Sequence, residues 1–302
     1  MSRASQGTAP HIRRILVALD ASPSSQAALD AAVSLAERMK AELFGLFVED
    51  ADLLRAAESP YARQILYPSA QEAPLSRGNV ERTLKAQAEQ AHSSLRSAAQ
   101  RAHLQYSFRS VRGQVSAELL AAAGETDLVA LGKLGWSLGA PLRLGSTALQ
   151  LAASTLSVLL LSERRAPAAL HLLAYYDASP EARQALTWAA QLAAADSGSL
   201  TVLLATPDAA RAQAMQHEVA AILKGTKLNI QFRRADPASR TEMLRVLRET
   251  ENGMFVMGSR EPFRQLLGLE SLLRESKIAV LLLRSEPTEP TNAGSAEARL
   301  LS

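Results

Sequence analysis

At 302 residues the chain is long for one compact domain of roughly 100–150 residues, so two hydrophobic cores are the starting expectation. Apolar residues make up 47% and charged ones 21%, the balance of an ordinary globular protein, and a formal charge of +3 is too small to point to nucleic acid or a membrane surface. With no cysteine, disulfide scaffolds, thiolate metal sites and thiol nucleophiles are excluded, and His11, His92, His103, His171 and His217 lack metal-ligand spacing.

Residues 1–11 read as a flexible N-terminus without the apolar core of a signal peptide. No apolar run reaches the roughly 18 residues of a membrane span, so the expected compartment is the cytoplasm, without membrane insertion. A strand over 13–19 leads into a helix over 23–39 and a strand over 42–48. The segment 50–78 reads as irregular, yet Leu53, Leu54, Tyr61, Ile65, Leu66 and Tyr67 are apolar for a plain loop and suit a lid or a surface for another protein. An amphipathic helix over 79–102 carries Leu84, Ala88, Ala91, Leu95 and Ala98 at steps of three and four. A strand over 104–111, a helix near 116–123, a strand over 127–131, a helix over 146–153 and a strand over 157–161 follow. Strand–helix alternation with continuously apolar strands argues for a parallel sheet covered on both faces.

The pattern then repeats. Asp20-Ala-Ser-Pro23 recurs as Asp177-Ala-Ser-Pro180, and the offset of 157 residues continues through Ala28/Ala185, Leu29/Leu186, Ala32/Ala189, Leu35/Leu192 and Ala36/Ala193. Val158-Leu-Leu-Leu161 likewise matches Val280-Leu-Leu-Leu283. Duplication of a whole domain explains these matches together. It divides the chain into domains at 12–163 and 168–285, a linker between them, and a proline-bearing tail at 286–302 expected to be disordered.

The strand at 127–131 empties into Gly132-Lys133-Leu134-Gly135, and nine residues later comes Gly145-Ser146-Thr147. Glycine permits close approach of the backbone to an anion, and the free N–H groups of a helix start point at it. Lys133 and Arg143 would add positive charge beside phosphates, although such side chains are more often solvated surface charges. The second copy has Glu261 where the second glycine should stand, and it takes 25 residues from Gly258 to Leu283 where the first takes 29 from Gly132 to Leu161. A carboxylate there would repel phosphate. Asp20 and Asp177 have a plainer reading too, because aspartate before Ser-Pro is a good helix start and explains both copies equally. Trp136 in the loop suits packing as well as stacking, and Trp188 suits packing on its helix.

Strand-Asp at the front and Gly-x2-Gly-x9-Gly-Ser/Thr after the fourth strand resemble the universal stress protein family over residues 12–284, as a tandem pair. The resemblance implies an α/β fold: two doubly wound, Rossmann-like domains, each with a five-stranded parallel sheet. It implies an ATP site, with or without Mg, in the first domain, with Asp20 near the adenosine, Val48 against the base, and Gly132, Gly135, Gly145, Ser146 and Thr147 at ribose and phosphates. The second domain, with its altered loop and Ala205 in place of the valine, is expected to hold no nucleotide. The loop lacks the lysine of a P-loop, and no general base or paired acid accompanies it, so a non-catalytic regulatory protein with an unidentified protein partner is the leading reading. A nucleotide-independent scaffold and a slow ATPase are the alternatives. The family commonly pairs subunits through the last strand, so 157–161 and 279–283 are expected to pair within the chain, with a further homodimer open.

Overall fold

The computed structural model describes residues 12–66, 71–132, 158–162, 171–196, 198–250, 253–258 and 278–283. In the first half these form β1 (Arg14–Ala18), α1 (Pro23–Met39), β2 (Glu42–Asp50), α2 (Ala51–Ala56), β3 (Arg63–Leu66), β4 (Gln71–Pro74), α3 (Arg77–Arg101), β5 (Tyr106–Gly113), α4 (Val115–Ala123), β6 (Leu128–Gly132) and β7 (Val158–Ser162). The second half contains β8 (His171–Tyr176), α5 (Pro180–Ala195), β9 (Ser199–Ala205), α6 (Ala209–Ile222), β10 (Asn229–Ala235), α7 (Arg240–Glu249), β11 (Gly253–Gly258) and β12 (Ala279–Leu283).

The repeated sequence makes repeated structure for local reasons. The Ser22 hydroxyl accepts from the Ser25 N–H at 3.0 Å to start α1, and the Ser179 hydroxyl accepts from the Ala182 N–H at 3.1 Å to start α5. A proline at the first helical position follows each cap, where its missing N–H would have had no helical partner. Lys40 ends α1 in the left-handed region at φ 55°. The five matched pairs from Ala28/Ala185 to Ala36/Ala193 are all buried, so the repeat is the core face of both helices. Trp188 is buried on that face as expected.

Ten strands form one sheet in the order β10-β9-β8-β11-β12-β7-β6-β1-β2-β5. Every neighbouring pair is parallel except β12 and β7, which run antiparallel with Val280 opposite Leu161 and Leu283 opposite Val158. Each half is thus a five-stranded parallel sheet, and the expected pairing of the two last strands joins the halves. Parallel neighbours require crossovers, which here place helices on both faces. One core lies beneath α1, α3, α5 and α6, the other beneath α4 and α7. Across the junction Arg38 of α1 donates from Nε to Asp196 at 3.1 Å, with both side chains largely covered.

Residues 50–66 and 71–78 form more regular structure than their sequence suggests. Asp50 accepts from the N–H groups of Asp52 at 2.8 Å and Leu53 at 3.4 Å, and so starts α2 directly from the end of β2. Leu54 and Ala57 are buried against the core, which anchors a helix of only six residues. A two-stranded hairpin, β3 with β4, follows. Strand β5 begins two residues later than expected because His103 turns at φ 53° after α3. The N-terminal segment, the linker from residue 163, the helix expected over 146–153 and the tail lie outside the described residues.

Candidate functional site

Parallel sheets bring the carboxyl ends of their strands to one edge, and a crevice opens where the strand order reverses. In the first half that place is β1, flanked by β2 on one side and β6 on the other. Ala18 stands opposite Leu46 and the Leu19 N–H donates to the Leu46 carbonyl at 2.9 Å, so the register carries Asp20 level with Val48. Val17 stands opposite Ala130, which carries Leu19 level with Gly132. Asp20, Val48 and Gly132 therefore meet at one edge although 112 residues separate the first from the last. Gly135, Gly145, Ser146 and Thr147 lie outside the described residues, as do Lys133, Trp136, Arg143 and Glu261.

Asp20 is exposed at the end of β1. Its Oδ1 accepts from the Ser22 N–H at 2.9 Å and closes a turn in which Ala21 takes φ 61°. Asp177 accepts from the Ser179 N–H, also at 2.9 Å, and Ala178 takes φ 67°. The helix cap is therefore the serine, and the aspartate shapes the turn before it, which corrects the simple capping reading. A left-handed alanine costs about 1–2 kcal/mol. Both copies carry it, so this strain belongs to the strand–helix junction rather than to a ligand.

Gly132 also has a packing role. A Cβ there would lie 2.5 Å from the Ser24 hydroxyl and 2.9 Å from the Ser24 carbonyl carbon. At the matching place in the second half, a Cβ on Gly258 would overlap the Glu181 carbonyl. Each glycine lets the first turn of a helix lie against the end of a neighbouring strand. Both halves share this packing role, so neither glycine by itself distinguishes a site.

The floor of the crevice contains residues the sequence pattern did not single out. Ala18, Val111 and Val115 join Val48 as partly buried side chains packed on the core beneath α4. Val48 stands opposite Val111 in the β2–β5 ladder. Alternation along β1 and β5 could have indicated their face, but not that the strands are neighbours of β2. Beyond this floor, alternating charges link the turn after α2, through the first turns of α3, to the sheet. Arg112 meets Glu49 at 2.8 Å and Glu81 at 3.8 Å, while Arg77 meets Glu81 at 3.1 Å and also pairs with Glu58. The hydrogen bond that Arg77 donates to Glu81, with the charges of Glu58 and Glu81, holds the Arg77 guanidinium above its ordinary pKa.

Among the described residues no group of three or more histidine or acidic side chains is placed to hold a metal ion. Among them, too, no helix is long and apolar enough to cross a membrane.

A universal stress protein from Archaeoglobus fulgidus is similar in fold, with 19% identity, 90% of this chain and 98% of that chain covered, and a TM-score of 0.67. A putative universal stress protein from Pseudomonas aeruginosa matches at 16% identity over 92% of this chain and 94% of its own, with a TM-score of 0.55. Both matches span the two halves. No curated protein matches the chain. The profile of the universal stress protein family matches residues 11–161, half of the chain, directly over the strand–Asp turn and the glycine loop. The chain belongs to the universal stress protein family.

Proposed function

We propose that the first domain binds ATP, or a related adenine nucleotide, and that the occupied state regulates a protein partner in a stress response without catalysing a reaction. The observation that carries this reading is the convergence of Asp20, Val48 and Gly132 on one edge at the switch point of a parallel sheet. Val48, with Ala18 and Val111, supplies an apolar floor for a base. The exposed Asp20 carboxylate accepts hydrogen bonds from ribose hydroxyls. Gly135, Gly145, Ser146 and Thr147 would supply the backbone N–H groups and hydroxyls for phosphates, whose charge a Mg ion would help to neutralise if bound. The second domain takes no nucleotide.

A specific observation favours a second reading, that of a scaffold without nucleotide: Gly132 and Gly258 have the same packing role, which needs no ligand. Titration of the purified chain with labelled ATP separates the two. The nucleotide reading expects saturable binding of one equivalent, weakened at least tenfold in Gly145→Glu, with the bound ATP recovered intact. No binding leaves the scaffold, and repeated turnover points to a slow ATPase.

A further inference from the structure

We propose that Tyr175 closes the second domain's counterpart of this crevice, its ring lying where the first domain leaves room for a base. The inference rests on the nucleotide reading for the identity of the missing ligand, but its geometry comes from the comparison of the two halves.

Almost every described feature of the crevice is shared. Asp20 and Asp177 make the same hydrogen bond at the same distance, Ala21 and Ala178 take the same left-handed turn, Ser22 and Ser179 cap the helices, and Gly132 and Gly258 receive the helix starts. The floor differs. At the repeat offset of 157, Ala18 corresponds to Tyr175 and Val48 to Ala205. The ladders add a third position, because Val48 stands opposite Val111 and Ala205 opposite Ala235. Ala, Val and Val in the first half thus become Tyr, Ala and Ala in the second. The two valine-to-alanine exchanges remove volume beside the place where one alanine has become an aromatic ring. Close packing makes such a trade of volumes the expected form of a filled pocket.

The ring is held in that place. It is half-buried against the core beneath α7 and meets Phe255 edge to face, with centroids 6.2 Å apart and planes at 83°. Burial foremost, and the nearby Asp177 carboxylate next, push its phenol up to about 12. The Tyr175 ring therefore stands on the apolar floor with the Asp177 carboxylate near it, the surroundings a base would have in the first domain.

Labelled adenosine, which needs no phosphate cradle, is the probe. Equilibrium dialysis of the full chain against it should show one more bound equivalent for Tyr175→Ala than for the wild type, and no gain for Tyr175→Phe, which keeps the ring. Circular dichroism and thermal melting establish folding; should Tyr175→Ala fail to fold, Tyr175→Val opens the same space with less loss. A folded opened variant that binds no more adenosine than the wild type overturns the inference, and leaves the first-domain reading standing if the wild type binds one equivalent. If the wild type binds none and the opened variant binds one, the inference stands and the first-domain reading falls.

Discussion

Helix α3 runs for 25 residues over the first half, whereas α6, its counterpart in the second, runs for 14. In the first half α2 and the hairpin precede this helix, and His92 stacks on Phe108 with centroids 4.6 Å apart. In the second half an open groove of about 380 Å³ remains beside α6, lined by Leu204, Ala212, Gln213, Gln216, Phe232 and Arg234 among others. The inner helices α1 and α5 show the opposite behaviour, with the same cap, the same proline and most of their buried positions shared. A helix packed between a sheet and a neighbouring helix cannot change a side chain without disturbing several others, so most of its buried residues survive duplication, Trp188 in place of Ala31 being an exception. An outer helix that covers only an edge is free to lengthen, shorten or acquire an insertion.

Three perturbations test how far the equivalence extends. The largest effect is expected at the two glycines. Gly258→Ala drives a methyl group into the backbone carbonyl of Glu181, and should destabilise the protein by about 3 kcal/mol. Gly132→Ala meets the rotatable Ser24 hydroxyl first and should cost about 2 kcal/mol. Denaturant unfolding of both variants measures the difference, and equal losses would show that the two helix starts sit alike.

An intermediate effect is expected in alkali, from two tyrosines of the second half. Burial above all, reinforced by Asp177 for Tyr175 and by Glu218 for Tyr176, raises both phenols from 10 to about 12, whereas the corresponding Ala18 and Leu19 cannot ionise. The unfolded chain therefore loses these protons first. Their contribution is intact below pH 10 and disappears as the pH rises from 10 to about 12, a loss on the order of 2 kcal/mol for each tyrosine. Unfolding curves across that range should show the second half failing first, and Tyr175→Phe with Tyr176→Phe should remove the steepness. A pH dependence unchanged by those substitutions would refute the assignment.

The smallest effect concerns the caps. Ser22→Ala and Ser179→Ala should each lower stability by about 1 kcal/mol, because each hydroxyl satisfies one N–H at the start of its helix. The two losses should agree within about 0.5 kcal/mol; a larger disparity would mean that the identical tetrapeptides are not held identically.

Much of this comparison is legible in the chain itself. The bounds of α1 follow from Ser22-Pro23 at one end and the apolar face up to Ala36 at the other, and the expected helix of 23–39 is the observed one. The pairing of the two last strands follows from the family resemblance, which implies association through that strand, and it covers both edges within the chain. Helix α2 was not legible, because six residues hold too little periodicity and its stability comes from Leu54 and Ala57 reaching the core. Of the candidate site, the aspartate turn and the glycine motif are visible as local patterns. The packing role of Gly132 is not, because the Ser24 it would meet lies 108 residues earlier.

The amino-acid sequence by itself determined that this protein is a duplicated α/β domain, since period, caps and apolar runs are local properties that repeat when the residues repeat. Only the tertiary structure decided how the copies differ at the crevice. Whether an alanine leaves a space or a tyrosine fills it depends on what stands in the neighbouring strands, and Val48, Val111, Ala205 and Ala235 become neighbours only when the sheet has formed. Packing compares volumes across strands, and the order of those strands is not written in any one of them.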